Sequence, residues 1–296
     1  MTPSTRAILV GVALVGACSP APAPELEAPE VGAEQGVVTG LPIDRLRLPL
    51  GDAGLLMEVA VSLPHNYDPS QAYPVLVIPD ADPLMGLLQT VSFLWVEEGT
   101  AQGAILVGLP FGDSAGAIWA NRSYYLLPDS VGVVEYYGAQ LPLNTGGGAT
   151  ELALFLAEEV LPAVEARYSV DHARMGLVGF SMGGLFAAWH LVTHPGFFTD
   201  YLIIAPPLSA PMIGSDFERS FEQRLGEGFD RPTRVYVSYA EDDLEMVKVG
   251  AARWIEAWSG VDDVNLSFRS ERFPGLRHDG GAVPALLNGY KFLYGS

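Results

Sequence analysis

The sequence has almost no cysteine: a single residue, Cys18, in 296. No disulfide can therefore form within one chain, and the fold must be stable from its apolar core alone. Positive charge is also scarce, with 16 Lys and Arg against 35 Asp and Glu and a formal net charge of −19. A nucleic-acid partner needs a basic footprint, so none is expected. Recruitment to anionic lipid heads by charge is excluded on the same ground. There are only five histidines. They form no Cys/His cluster and no H-E-x-x-H pattern, so no metal site is expected. No internal repeat is visible.

Apolar residues are plentiful. They make up 49% of the chain against 17% charged, a globular profile that can bury a large core. Residues 1–17 read as an export signal. Arg6 supplies the positive start, and Ala7–Ala17 (AILVGVALVGA) is an apolar, small-residue stretch too short to span a bilayer. Val15-Gly16-Ala17-Cys18 has the form of a bacterial lipobox, with small residues before a cysteine that becomes the lipidated N-terminus. Several acyl chains on one residue give a stable anchor. Ser19 does not resemble an inner-membrane retention signal, so the expected address is the outer membrane, facing the periplasm or the cell surface. Membrane contact is expected only through that lipid. Residues 18–40 are rich in Pro, Ala and Glu without periodicity and read as a disordered tether. Residues 41–296 form the expected folded domain.

Within that domain, apolar runs alternate with helical patterns. Strands are expected at Arg45–Leu50, Leu56–Leu63, Pro74–Pro79, Ala104–Leu109, Met175–Gly179, Tyr201–Ala205, Arg234–Tyr239 and Asn265–Arg269. The middle runs (VLVI, AILVG, GLVGF, YLIIA, RVYVSY) are nearly continuous, as in strands buried on both faces. Helices are expected at Ala149–Tyr168, with Thr150 as N-cap, and at Ser181–His194, Leu244–Ser259 and Val283–Leu293. This order predicts an α/β fold: a three-layer α/β/α sandwich of α/β-hydrolase type, with a mostly parallel central sheet of about eight strands. Phe111–Gly148 is long, Gly- and Tyr-rich and weakly periodic. It reads either as a cleft or lid segment or as a decorative insertion.

Gly179-Phe180-Ser181-Met182-Gly183 matches the G-x-S-x-G pattern, and so does Gly112-Asp113-Ser114-Ala115-Gly116. Context separates them. The pattern carries chemistry only where a strand turns sharply into a helix. An apolar strand abuts Ser181, and Gly183, Gly184, Ala187 and Ala188 permit a closely packed helix after it. Ser114 sits in a polar, Gly-rich stretch with no convincing helix behind it. Ser181 is therefore the candidate nucleophile. The backbone N–H of Met182 is placed to face an oxyanion from the helix N-terminus. A second donor is expected from the loop after Pro74–Pro79, at Asp80, Ala81 or Asp82.

A serine needs a base. His65 lies early in the domain, His172 before the nucleophile strand, and His190 and His194 on the helix after Ser181. Only His278 follows the last strand, where the chain order Ser–acid–His puts the base. The acid should follow the penultimate strand, which ends in Glu241-Asp242-Asp243. Neighbouring residues cannot all face one imidazole. Glu241 comes first, Asp243 close behind and Asp242 last, and a Ser–His dyad without any of them is the alternative.

These residues resemble those of the esterase family that includes esterase D and the enterobactin (siderophore) esterases, from about residue 45 to 294. YPVLVIPDAD at Tyr73–Asp82 is similar to "YPvlyvlDGd", and FLAEEVLPAVEARY at Phe155–Tyr168 to "FL.eELiPyIe.rY". GLVGFSMGGLFAAW resembles "gl.GhSmGGlfAly", and FPGLRHDGGAVPALLNGYKFLY resembles "feGetHgsvipaal.rGlrfLy". VSYAEDDLEMV resembles "vsvGelE..mv", which favours Glu241. The resemblance implies an α/β-hydrolase fold, no cofactor, and hydrolysis of a small-molecule ester. Two segments depart from it. Ala205-Pro206-Pro207 stands where Ser-Pro-Ser is usual, and NRSYYLLP at Asn121–Pro128 replaces the charged core of "RtRDlTP", leaving Arg122. Trp119, Tyr124, Tyr125, Tyr136 and Tyr137 occupy the same cleft segment, so Arg122, Tyr124 and Trp119 are the expected substrate contacts. A neutral or apolar acyl ester then fits better than an anionic ferric catecholate. Four functions remain open: a serine carboxylic-ester hydrolase working through an acyl-enzyme on a small or medium acyl ester, a siderophore (catecholate) esterase, an acyltransferase like the related mycolyltransferases, and a non-catalytic ligand-binding envelope lipoprotein.

Overall fold

The chain builds its largest element, a nine-stranded sheet, around central strands that are buried on both sides. The computed structural model describes residues 32–34, 41–51, 55–143 and 145–296. The expected export signal, Cys18 and most of the stretch read as a tether lie outside the described residues. Part of that stretch contributes β1 (Gly32–Glu34), which pairs antiparallel with β2 (Ile43–Leu50). Then follow β3 (Leu55–Ser62), β4 (Tyr73–Ile78), α1 (Ala81–Glu97), β5 (Ile105–Gly108) and α2 (Ala115–Tyr125). A separate hairpin is made by β6 (Gly132–Tyr136) and β7 (Ala139–Leu143). The second half comprises α3 (Ala149–Phe155), α4 (Leu161–Glu165), β8 (Val170–Phe180), α5 (Met182–Thr193), β9 (Asp200–Ile204) and α6 (Ser215–Glu227), then β10 (Thr233–Ala240), α7 (Glu245–Ser259), β11 (Leu266–Phe273) and α8 (Ala282–Tyr294).

The spatial order is β1-β2-β3-β5-β4-β8-β9-β10-β11. The pairs from β5 to β11 are all parallel, while β2–β3 and β3–β5 are antiparallel. Alternation puts two cores on the two faces. From β4, Val75 and Val77 join one core while Leu76 and Ile78 join the other. From β9, Tyr201 and Ile203 face the first, and Leu202 and Ile204 the second. Helices α1 and α8 cover one face, and residues of α3, α5, α6 and α7 cover the other. This is the α/β/α sandwich that the continuous apolar runs predict.

Several local expectations need correcting. Asp80–Asp82, expected as a loop, instead start α1 directly after β4. The helix expected over Ala149–Tyr168 does start at Ala149, but its cap is Gly148 and not Thr150. It widens into a π turn over Leu156–Val160 before α4. Pro162 explains the turn, because its ring clashes with the carbonyl four residues back and it has no N–H to donate. Of the two readings of Phe111–Gly148, the decorative one is set aside, because the segment supplies walls of the cleft over Ser181. It holds α2, which packs on α3 and α5, and the β6–β7 hairpin. The α2 sequence hides its helix because only Ser123 and Tyr125 are buried, too few to write an apolar stripe. Ser114, expected to precede no helix, is the N-cap of α2, and its hydroxyl accepts from the Ala117 N–H at 3.3 Å.

Candidate active site

The parallel strands deliver the candidate residues to one edge of the sheet. β8 runs to Phe180 and turns into α5 at once, with Ser181 between them at φ 58° and ψ −118°. A non-glycine residue there is strained, and such strain persists only where the surroundings impose it. Here the turn is enforced by close packing. A Cβ on Gly179 would lie 1.9 Å from the Gly183 carbonyl oxygen, and one on Gly184 would lie 2.6 Å from that of Ile204. The Ser181 N–H also donates to Ile204 at 2.9 Å, tying the elbow to β9.

Ser181 Oγ lies 2.8 Å from His278 Nε2, and His278 Nδ1 lies 2.6 Å from Asp243 Oδ1. The His278 and Asp243 side chains are 1% and 0% exposed, so the pair sits out of water. Asp243 is itself held, because its Oδ1 accepts from the Leu244 N–H at 2.7 Å and its Oδ2 from the Ala240 N–H at 3.3 Å. The Phe180 ring packs on the imidazole with centroids 4.8 Å apart.

Glu241, placed first among the acids, does not meet His278. Its carboxylate accepts from the Gly275 N–H at 3.0 Å and pairs with Arg272. The reason is the strand end. The Glu241 N–H still bonds Phe273 in line with the ladder, and the chain then turns so that the Asp243 N–H bonds back to Ala240. That turn carries Asp243, not Glu241, over the sheet edge. Asp242 ties the same loop through its N–H to the Leu276 carbonyl at 2.9 Å.

A cleft of about 200 Å³, open to solvent on one side, lies over Ser181. Met182, Trp119 and Arg122 line it, with Tyr136 and apolar residues of the hairpin. Ala81 and Asp82, expected to supply an oxyanion donor, do not line it. The Ala81 N–H is given to the Leu109 carbonyl at 3.2 Å, and the Asp82 carboxylate accepts from the Phe111 N–H at 2.8 Å. Tyr124 is absent from the cleft as well. Trp119 and Arg122 are three residues apart on one face of α2, whereas Tyr124 points to α3, where its hydroxyl donates to Glu151 at 3.2 Å.

Two features escaped the sequence reading. Asp80 is fully buried, and Arg122 grips its Oδ2 through Nε at 3.0 Å and Nη2 at 2.7 Å. Burial pushes the Asp80 carboxyl up, and the guanidinium opposes this. Its Oδ1 has no hydrogen-bond partner among the described residues. The second feature is Tyr137, whose hydroxyl accepts the His278 backbone N–H at 3.1 Å. The motif Tyr137-Gly138 between alternating segments is a hairpin signal, though a weak one. The other histidines are placed apart from the Ser181 cleft. His65 pairs with Glu97 and His172 with Glu165. His190 lies buried among aromatic rings, and desolvation takes its pKa down to about 3. Among the described residues no cluster of His, Cys, Asp and Glu could hold a metal ion.

Comparison with known proteins points the same way as this geometry. The family model described as "Putative esterase" matches residues 53–241. The ferri-bacillibactin esterase BesA of Bacillus subtilis (strain 168) is 25% identical over 155 residues, 51% of this chain and 53% of that protein. The match thus spans about half the length of that relative. Among solved structures, the BES protein from Bacillus cereus superposes with a TM-score of 0.74 at 22% identity, covering 88% of this chain and 97% of that one. The siderophore hydrolase EstA from Aspergillus nidulans gives 0.70 at 18% identity, covering 85% and 93%. At such identities these two likenesses show the shared fold.

Proposed function

Because the chain belongs to the "Putative esterase" family, we propose that it hydrolyses carboxylic esters through an acyl-enzyme on Ser181. The observation that carries this is the unbroken chain from Ser181 Oγ to His278 Nε2 and from His278 Nδ1 to Asp243 Oδ1, at 2.8 and 2.6 Å. Ser181 Oγ attacks the ester carbonyl while His278 Nε2 takes its proton. Asp243 keeps the remaining proton on Nδ1 and stabilises the imidazolium. The negative charge on the carbonyl oxygen meets the Met182 N–H in the first turn of α5, where no intrahelical carbonyl competes and the helix dipole is favourable. The C–O bond of the ester breaks, and the alcohol leaves with the proton from His278. A water, deprotonated by His278, then attacks the acyl-enzyme; the bond from the acyl carbon to Ser181 Oγ breaks, Oγ takes the proton back from His278 Nε2, and the acid is freed.

The cleft favours a neutral, small or medium acyl group. Its walls include Trp119, Val134, Leu141, Leu143, Met212 and Met246. The Asp, Glu, Lys and Arg side chains lining it are Glu135, Asp279 and Arg122, and Arg122 is already matched by Asp80. A ferric catecholate carries several negative charges and would gain little here. Siderophore hydrolysis is the second reading, supported by the named activity of the Bacillus relative and by a guanidinium at the cleft wall. Acyl transfer to a sugar or polyol would use the same groups, and products formed with an added polyol separate it from hydrolysis. A fluorophosphonate probe should label the native protein at Ser181. Labelling that survives Ser181→Ala but not Ser114→Ala would sink the assignment. A chain-length series of p-nitrophenyl esters beside a ferric siderophore ester decides the substrate class. The proposal includes export and a lipid on Cys18, to be tested by fatty-acid labelling that Cys18→Ser should abolish.

A further inference from the structure

The β6–β7 hairpin pairs with itself and not with the main sheet. A lone two-stranded hairpin is marginal in water, so its place is set by what it touches. It touches two things. Its residues Val134, Leu141 and Leu143 line the cleft over Ser181. Its turn reaches the loop that carries His278. Tyr137 and Gly138 at that turn have φ of 47° and 86°, the two positive values that a two-residue type I′ turn requires. Glycine adopts such a value freely. An aromatic residue does not, and Asn, Asp or Gly is favoured at the first position. A strained residue of this kind persists where its side chain is held by its surroundings. The Tyr137 hydroxyl accepts the His278 backbone N–H at 3.1 Å, and the Arg277 guanidinium carbon lies 3.9 Å from the centre of its ring. Tyr136 adds an edge-on contact to the His278 imidazole, centroids 6.1 Å apart.

We propose that Tyr137 is a positioning residue for the general base, and that the hairpin couples filling of the acyl cleft to the seating of His278. This rests on the assignment of Ser181 and His278 made above. The imidazole is held at its ring by Asp243 and at its backbone by Tyr137. Proton transfer over the 2.8 Å to Ser181 Oγ loses efficiency when the base shifts by a fraction of an ångström. An acyl group lying on Val134, Leu141 and Leu143 fixes the element whose turn fixes His278. Part of its binding energy then appears in kcat and not in KM. A short acyl group leaves that wall unfilled.

The test uses Tyr137→Phe in the full chain, which keeps the ring beside Arg277 and removes only the hydroxyl. On p-nitrophenyl hexanoate kcat should fall about tenfold while KM stays within about twofold. The thermal midpoint should move by no more than about 2 °C. Phosphonylation of Ser181 by a small, uncharged fluorophosphonate should slow by the same factor as kcat. In the native enzyme kcat should rise from the acetate to the hexanoate, and in the variant that rise should shrink. A kcat and phosphonylation rate within about twofold of native, or a loss carried by KM alone, overturns the positioning role. A native kcat that is flat along the acyl series overturns the coupling. Ser181→Ala in the same assay keeps the two levels apart. If it still turns over ester at the native rate, the assignment beneath the proposal fails. If it is inactive while Tyr137→Phe behaves as native, only the proposal fails.

Discussion

Replacing Asp243 by Asn tests the acid directly, and the structure sets the expected size of the effect. Both carboxylate oxygens accept hydrogen bonds. Oδ1 takes the His278 Nδ1–H at 2.6 Å and the Leu244 N–H at 2.7 Å, and Oδ2 takes the Ala240 N–H at 3.3 Å. An amide cannot satisfy both sides. With its oxygen toward His278, its NH₂ opposes the Ala240 N–H in a site closed to water. With its NH₂ toward His278, the imidazole must carry its proton on Nε2, facing Ser181 Oγ, and can no longer act as base. Either arrangement also removes the negative charge that stabilises the imidazolium. A buried triad carboxylate lost in this way costs about 10³–10⁴ in kcat, or roughly 4–5.5 kcal/mol of transition-state stabilisation. Glu241→Gln is the control. Its carboxylate is 39% exposed and pairs with Arg272, so kcat should change by less than about threefold. Steady-state hydrolysis of a p-nitrophenyl ester, with active sites counted by a fluorophosphonate, gives both values. The reasoning is refuted if Asp243→Asn keeps kcat within tenfold of native, or if Glu241→Gln loses as much as Asp243→Asn.

Three further outcomes follow from packing and charge. Arg122→Met strands the fully buried Asp80 carboxylate and should destabilise the fold by about 3–5 kcal/mol in urea titrations, most of it restored by adding Asp80→Asn. Gly179→Ala should yield no active enzyme, because its Cβ would sit 1.9 Å from the Gly183 carbonyl oxygen. Gly183→Ala, whose nearest contact is 3.6 Å away, should still fold, as judged by circular dichroism. His190 is held neutral by burial, with its pKa down at about 3. The unfolded chain therefore binds a proton below about pH 6.5 that the folded chain refuses, so this group's stability is present above that pH and is lost as pH falls toward 3. Between pH 7 and 5 it should cost about 2 kcal/mol. Urea titrations of His190→Phe at both pH values should show a pH dependence smaller by about that amount.

Some of the site was written in short stretches of sequence. The elbow at Ser181 is a local object, comprising a strand, a glycine that admits no Cβ, the serine, and a small-residue helix start. His278 was reachable by its order along the chain. The acid was not, because Glu241, Asp242 and Asp243 differ only in where β10 stops and how tightly it turns. That stop is decided by pairing with β11, up to Ala240 against Phe273, which no run of ten residues encodes. The same limit explains Tyr124. Without a visible helix in α2, nothing said that it faces away from Trp119 and Arg122. The hairpin behind Tyr137 was hidden for a related reason, since its strands pair only with each other and their inner residues face the cleft.

The pair Asp80–Arg122 carries the substrate argument one step further. Arg122 is the cation left in a segment where the family resemblance implies several. An unpaired arginine at a cleft wall would attract an anion. In the structure the Arg122 guanidinium is committed to a carboxylate with no exposed surface, and the pair as a whole is neutral. Asp279 and Glu135 then leave the cleft wall net acidic. An anionic substrate would have to compete with Asp80 for Arg122 and approach two carboxylates, whereas an alkyl or aryl acyl group meets Trp119, Val134, Leu141 and Leu143 without such a penalty. Ester turnover should therefore increase with acyl length until the cleft is filled. It should fall when a carboxylate is placed at the end of the acyl chain, and the second comparison separates the charge of the cleft from its size.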